Sequence, residues 1–281
     1  MVLTAAQRAL VDRWVPGAEL VADLSWPEAL TRVWHLRSGD VDAVVKAGGE
    51  VTGHHIGREI AAGRELTGLG DGLPVLIDGS APERVLAVRY QPGALVQDTP
   101  AEADPAVFHA AGRLLARVHG SAAAEISADY PTSRLDRLRR LLPRASTLLD
   151  PDLAARTAGA VDRIRPVPEP AVRTHGDMQP RNWLVDDAGT VRLIDFGRYA
   201  LRPAYTDLVR VVHRCPPGDP RVGALLAGLG GPEPWDLPGW WAENLYQAVM
   251  TVVWATDVGS PDFAEEGRGM LRRTLDGTMV R

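Results

Sequence analysis

The sequence predicts an α+β chain in two lobes, a small strand-rich lobe over residues 1–90 and a larger helical lobe over residues 91–281. Three observations carry that expectation. Before residue 90, short β-branched runs alternate in polarity around a helical stretch. Tyr90-Gln91-Pro92-Gly93 then interrupts the pattern with turn chemistry. After it, apolar residues recur at helical spacing, as at Leu114, Leu115 and Val118. Strands first and helices second is an α+β plan, and the break places a cleft between the lobes.

The elements follow in order. Residues 4–14 read as an amphipathic helix with Thr4 as its N-cap. Residues 20–24 and 30–36 alternate as strands, and Ser38-Gly39-Asp40 turns the chain into a third strand ending at Lys46. Gly48-Gly49 closes that strand. A helix is expected over residues 55–69, then strands over 74–78 and 84–89. In the second lobe, helices are expected at 105–119, 135–149 and 152–164, with Pro143 kinking or splitting the second because proline lacks a donor and clashes with the preceding turn. Beyond a proline-rich segment, Pro166 to Pro170, helices are expected at 205–212, 221–229, 240–256 and 264–275.

Composition narrows the chemistry. A net charge of −5 argues against nucleic acid as the main partner. The single cysteine, Cys215, excludes an intrachain disulfide and a cysteine metal site, as suits a reducing cytoplasm. The N-terminal residues lack a signal-peptide pattern, and no apolar run approaches the ~20 residues of a membrane span, so a cytoplasmic protein with no membrane partner is expected. Monomer and homodimer both stay open.

The chemistry concentrates between His175 and Gly197. His175-Gly176-Asp177 is followed by Asn182 at the spacing of a kinase catalytic loop, and Ile194-Asp195-Phe196-Gly197 comes after a short apolar run. Two carboxylates and a carboxamide around a hairpin are what phosphoryl transfer needs to hold Mg·ATP and orient a hydroxyl. Lys46 is the only lysine among 31 basic residues, and it ends a strand. A compact ammonium on a flexible stem suits phosphate contact where a planar guanidinium does not.

At these residues the chain resembles the aminoglycoside phosphotransferases and related small-molecule kinases, which share the protein-kinase fold. The resemblance is carried by Val44-Val45-Lys46, Arg58-Glu59, Tyr90 to Gly93, Leu114 to His119, His175 to Asn182, and Ile194 to Gly197. Gly176 and Gln179 stand where protein kinases usually carry arginine and lysine, which favours a small-molecule acceptor. The resemblance implies that Asp177 orients the acceptor hydroxyl and that Asn182 and Asp195 hold Mg²⁺. It implies that Lys46 pairs with a helix carboxylate, Glu59 in preference to Glu65, and that Asp207 braces the catalytic loop. It also implies that the Arg89 carbonyl and the Gln91 amide hold the base, with Val88 behind them. His175 is expected to be structural; Arg181 could reach a phosphate or be solvated.

One departure stands out. The segment that should cover the nucleotide, residues 25–29, has no glycine, so contact through the hydroxyl of Ser25 or Thr31 is expected instead. ATP and GTP both stay open as donors. The acceptor is expected beside Asp177, against a wall of carboxylates and tryptophans that includes Trp235, Trp240, Trp241, Glu243, Trp254, Asp257, Glu265 and Glu266. Such a wall suits a polycation. The expected activity is therefore ATP-dependent O-phosphorylation that inactivates a hydroxylated, cationic antibiotic, an aminoglycoside or a basic cyclic peptide such as capreomycin or viomycin. A metabolic kinase of the sugar, choline or homoserine type and an inactive nucleotide binder are the alternatives.

Overall fold

A computed structural model describes residues 3–26, 30–215 and 218–278. The first lobe opens with α1 (Ala5–Trp14), whose Thr4 hydroxyl accepts from the Gln7 amide while the Gln7 side chain returns to the Thr4 amide, a complete capping box. Then come β1 (Glu19–Asp23), β2 (Arg32–Ser38), β3 (Val41–Ala47), α2 (Gly53–Glu65), β4 (Leu76–Ser80) and β5 (Val85–Arg89). The strands form one antiparallel sheet in the order β1-β2-β3-β5-β4.

The period of two along β3 and β5 sorts side chains onto two faces. Val45, Ala47, Val85 and Ala87 pack with Trp34, Leu36 and Val11 under α1. Val44, Leu86 and Val88 pack with Ile56 and Ile60 of α2 on the opposite face. Lys46 shares the parity of Val44, so its strand aims it toward α2 and the cleft.

The second lobe contains β6 (Ala94–Leu95), α3 (Pro105–His119), β7 (Glu125–Ser127), α4 (Asp129–Ser146), α5 (Pro151–Arg163), β8 (Glu169–Thr174), β9 (Trp183–Val185), β10 (Val191–Leu193), β11 (Ala200–Arg202), α6 (Val209–Arg214), α7 (Pro220–Leu229), α8 (Trp240–Asp257) and α9 (Pro261–Asp276). Its core is one contiguous cluster that includes Phe108, Leu115, Trp183, Phe196, Leu225, Leu245 and Leu271. Helix α3 lies against α7 with almost no space between backbones. A Cβ at Gly112 would collide with the Leu225 carbonyl, and one at Gly228 with the His109 carbonyl.

Three details differ from the sequence expectation. Pro143 neither splits nor ends its helix, because it lies in the last turn of α4, where only the bond to the Arg139 carbonyl is forfeited. The helix expected over 205–212 is a 3₁₀ turn, Ala204–Asp207, followed by α6. Two small sheets, β10-β9-β6 and β11-β8-β7, cradle the catalytic segment. Their strands are mostly three residues or fewer, too short to leave a periodic signature. Among the described residues, no helix is long and apolar enough to cross a membrane.

Candidate active site

The first-lobe half of the site is an ion pair. Lys46 Nζ lies 2.8 Å and 3.0 Å from the two carboxylate oxygens of buried Glu59, and 3.7 Å from Asp195 Oδ1. Glu65, the rival partner, is engaged elsewhere: it accepts from Tyr199 Oη at 2.9 Å and pairs with Arg173 at 2.9 Å. Burial alone would pull Lys46 down, but Asp195 and Glu59 outweigh it and hold the ammonium above its usual range. Burial pushes Glu59 up, against the pull of Lys46. Asp195 thus helps keep Lys46 charged, while Glu59 depends on Lys46 against both burial and the nearby Asp195.

The second-lobe half is built on backbone bracing. Asp207 accepts from the His175 amide at 2.9 Å and from the Gly176 amide at 2.6 Å, and His119 Nε2 holds the same carboxylate at 2.9 Å. Gly176 has φ +83°, and a Cβ there would meet the Arg198 carbonyl, so only glycine fits. The His175 ring is wholly buried and fully used: Nε2–H donates to the Ile194 carbonyl, Nδ1 accepts from the Asp177 amide, and the ring packs on Phe196. It is a structural histidine that ties the loop to the strand before Asp195.

Asp177 emerges from this frame with its carboxylate crowded by donors. Gln179 Nε2 donates to it at 2.7 Å, Arg181 Nη2 at 2.7 Å and Asn182 Nδ2 at 3.1 Å, with Arg210 at 3.6 Å. Burial would raise Asp177, but Arg210, Arg198 and Arg181 together hold it far below the usual carboxylate range. Asn182 sends its amide hydrogens to Asp177, which leaves its Oδ1 for another partner. Asp195 takes φ +63°, a left-handed conformation unusual for aspartate, and its side chain stays 52% exposed. Lys46 lowers it, so it presents an open, ionised carboxylate to the cleft. The residue after its phenylalanine is tied to the first lobe by His55 Nδ1, 2.9 Å from the Gly197 carbonyl.

These groups border a cavity of about 1130 Å³ between the lobes. Lys46, Glu59, Val88, Arg89, Gln91, Asn182 and Asp195 line it, with Leu24, Trp26, Val33, Val44, Leu184 and Ile194 as apolar walls. At the linker, the Arg89 amide is bonded to the Val75 carbonyl and the Tyr90 amide to the Asp42 carbonyl. Among the described residues the Gln91 amide makes no backbone bond, so it is available to a ligand. Ser25 is not brought into the cavity, and neither is Thr31. The Ser25 hydroxyl is used inside the β1–β2 hairpin, where it accepts from the Val33 amide at 2.9 Å. The rest of that covering segment, residues 27–29, lies outside the described residues.

The donor set fits a metal shared with phosphates. Among the described residues no cluster of three or more His, Cys, Asp or Glu side chains is placed to hold an ion alone. One carboxylate and one amide oxygen at the mouth of a nucleotide-sized cavity suit Mg²⁺, which keeps waters and phosphate oxygens as its other ligands.

A second cavity, about 1110 Å³, opens on the other side of Asp177. Its lining overturns the expected acidic wall. Seven arginines face it, Arg58, Arg134, Arg137, Arg181, Arg198, Arg202 and Arg210, and among the described residues no carboxylate lines it. Of the expected wall, only Trp254 is present. Trp240 is buried edge-on to Tyr205, and Glu243 is buried against Tyr130 and Gln247. Asp257 pairs with Arg144, and Glu265 with Arg268 and Arg272. Helix α8 is apolar on most of its circumference and serves as a core helix, which turns most of its aromatic residues inward. The arginines come from α2, α4, α6, β11 and two loops, so no single local spacing announces them; Arg58 and Arg181 lie within the motifs and Arg198 directly follows Gly197, while Arg134, Arg137, Arg202 and Arg210 lie outside them.

The family comparison fits this geometry. The model of the phosphotransferase enzyme family (APH) matches residues 28–241. A search of curated proteins finds no match to the sequence. Among solved structures, a thermostable mutant of the aminoglycoside phosphotransferase APH(4)-Ia, in ternary complex with ADP and hygromycin B, superposes with a TM-score of 0.67 at 15% identity over 97% of this chain and 98% of that one. The GDP complex of aminoglycoside 2′-phosphotransferase-IIIa gives 0.67 at 16% identity, covering 96% and 98%. The macrolide 2′-phosphotransferase MphH from Brachybacterium faecium gives 0.59 at 20%, covering 96% and 97%. The fold is that of the protein-kinase-like phosphotransferases, and with most of its length matched by the family model the chain belongs to the phosphotransferase enzyme family.

Proposed function

We propose that the protein transfers the γ-phosphoryl group of a Mg²⁺-bound nucleoside triphosphate to a hydroxyl of a small antibiotic. The observation that carries this reading is the convergence of Lys46, paired with Glu59, on Asp195, with Asn182 in the same cleft and Asp177 directly behind it, hydrogen-bonded to Asn182. The antibiotic class is supported by the solved relatives, whose names specify aminoglycosides and a macrolide.

In this reading the base lies against Val88 with its edge at the Arg89 carbonyl and the Gln91 amide. Lys46 reaches the phosphates as a point charge, while Asn182 Oδ1 and Asp195 hold the ion. Mg²⁺, when bound, neutralises phosphate charge as the bond to the leaving nucleoside diphosphate breaks. Asp177 receives the acceptor hydroxyl as a hydrogen-bond donor and fixes its oxygen in line with the γ-phosphorus. A carboxylate held so far down is a weak base, so its contribution is chiefly positioning, and the hydroxyl proton passes to it only late, once the new P–O bond has largely formed and the oxygen has become acidic, before going on to solvent. Arg181 lines both cavities, so it stands where the phosphoryl group crosses.

The cationic charge expected of the acceptor finds no complement in the second cavity. The test of the reading is phosphoryl transfer from Mg·ATP or Mg·GTP to a mixed antibiotic panel, followed by mass. Nucleotide bound in the cleft with no transfer across aminoglycosides, macrolides and acidic antibiotics would remove the antibiotic class and move the reading to a metabolic acceptor.

A further inference from the structure

We infer that the acceptor is itself an anion, a small hydroxylated molecule that carries a carboxylate or phosphate-ester group seated among Arg58, Arg137 and Arg198. The inference rests on the phosphotransferase reading of the same site and names its substrate class.

Four of the seven arginines are already engaged within the protein. Arg181 and Arg210 face Asp177, and Arg134 lies 3.6 Å from Glu243 while stacking on Tyr130 and Tyr246. Arg202 donates to the Arg198 carbonyl. That leaves Arg58, Arg137 and Arg198, whose side chains make no hydrogen bond or ion pair among the described residues, Arg198 acting on Asp177 only at longer range. They come from α2, α4 and the loop after Gly197, so helix-face spacing does not explain their meeting. The protein as a whole is acidic, at −5, so a carboxylate-free wall of arginines is not background composition.

Gathering like charges is unfavourable unless something of opposite sign joins them. The strain is visible at Arg210, which burial, with Arg198 and Arg181 nearby, pulls down to about 10 against the opposing pull of Asp177. The nucleotide does not supply the missing anion for all of them. Only Arg181 borders both cavities; Arg58, Arg137 and Arg198 line the acceptor side alone. Planar guanidinium groups converging from several directions are suited to bidentate capture of an oxyanion. Beside the arginines, His54, His55, Gln247 and Thr251 line the cavity, and Met250, Phe263 and Trp254, the last 52% exposed, give it an apolar patch. The ligand thus has an anionic end, an apolar or ring-bearing body, and a hydroxyl at Asp177.

The test is calorimetric titration of the full chain, saturated with ADP and Mg²⁺, using four probes. Phenyllactate carries a carboxylate, glycerol phosphate a phosphate ester, phenylpropanediol no charge and phenylalaninol a positive charge; all have hydroxyls. At least one anion should bind about tenfold or more tighter than the neutral and cationic probes. Whether phenyllactate or glycerol phosphate leads distinguishes carboxylate from phosphate ester. Arg58→Gln with Arg137→Gln should erase the preference while ADP affinity and melting temperature stay as they were, which both residues' exposure permits. Anions that bind no better than phenylpropanediol, or a preference that survives the double substitution, would overturn the inference. The phosphotransferase reading fails by a different sign, absence of ADP binding or of transfer to any acceptor, so the two failures are distinguishable.

Discussion

Arg181 Nη2 lies 2.7 Å from Asp177 Oδ2, so the carboxylate proposed to receive the acceptor hydroxyl is already ion-paired with a residue four positions on. Its ionisation is settled by that neighbour together with Arg210 and Arg198, which overcome the effect of burial. Asp177 should therefore stay charged throughout the working range. With acceptor saturating, kcat should show no acid limb from Asp177 between about pH 5 and about pH 9. A limb near neutrality that shifts upward in Arg181→Gln would contradict this placement. Asp177→Ala should lower kcat by about a thousandfold while leaving nucleotide affinity within about threefold, as expected for a positioning group that the nucleotide does not touch.

Glu59 and Glu65 sit on the same helix, yet only Glu59 reaches Lys46. Steady-state kinetics with nucleotide varied should separate them. Glu59→Gln should reduce kcat/KM for the nucleotide by about tenfold to a hundredfold, because Lys46 loses the partner that fixes it. Glu65→Gln should change the same quantity by no more than about twofold. Equal losses would mean that the lysine is not held where it is needed.

Gly176 offers a test of the loop's construction. Its φ of +83° and the Arg198 carbonyl beside it leave no room for a methyl group. Gly176→Ala should destabilise the protein by about 2–4 kcal/mol, as combined backbone strain and overpacking. Chemical denaturation reads this directly, and a midpoint unchanged from wild type would show that the loop accommodates the side chain.

His213 predicts how stability responds to acid. Burial, with Arg273 alongside, lowers it from 6.5 to about 4, against the smaller opposing pull of its 2.8 Å hydrogen bond to Asn244 Oδ1. Between those values the unfolded chain binds a proton that the folded chain does not. Stability therefore rises with pH across that window and is lost as pH falls from about 6.5 toward about 4, by up to about 3 kcal/mol. Glu59, raised by burial, acts in the opposite sense, and Asp177 and Asp207 lose their contributions only at lower pH. His213→Gln should flatten the slope of unfolding free energy between pH 6.5 and 4; an unchanged slope would assign it to other groups.

Legibility from sequence followed the physics of each residue. The parity of Val44, Val45 and Lys46 determines both the strand and the face on which the lysine emerges, so alternation alone located it. The aspartates of the catalytic segment were legible because phosphoryl transfer demands a fixed set of oxygen ligands at fixed spacing. The short strands β6, β7, β9, β10 and β11 were not, since two or three residues carry no period and tertiary pairing decides them. The acceptor wall was read wrongly for a related reason. Trp240 and Glu243 are polar or amphipathic side chains on a helix packed around most of its circumference, and their fate depends on Tyr205 and Tyr130, far away in sequence. Arg58, Arg137 and Arg198 gained meaning only when three separate elements brought them to one cavity. In a chain where arginine supplies all but one of the 31 basic residues, none stood out beforehand.

The most direct measurement of the central claim is the mass of each acceptor after incubation with Mg·ATP or Mg·GTP, for wild type and Asp177→Ala side by side. Gain of a single phosphoryl group by one acceptor, abolished in Asp177→Ala while nucleotide binding persists, is the predicted result. Transfer that proceeds at the wild-type rate without Asp177 would contradict the placement of the acceptor hydroxyl at that carboxylate.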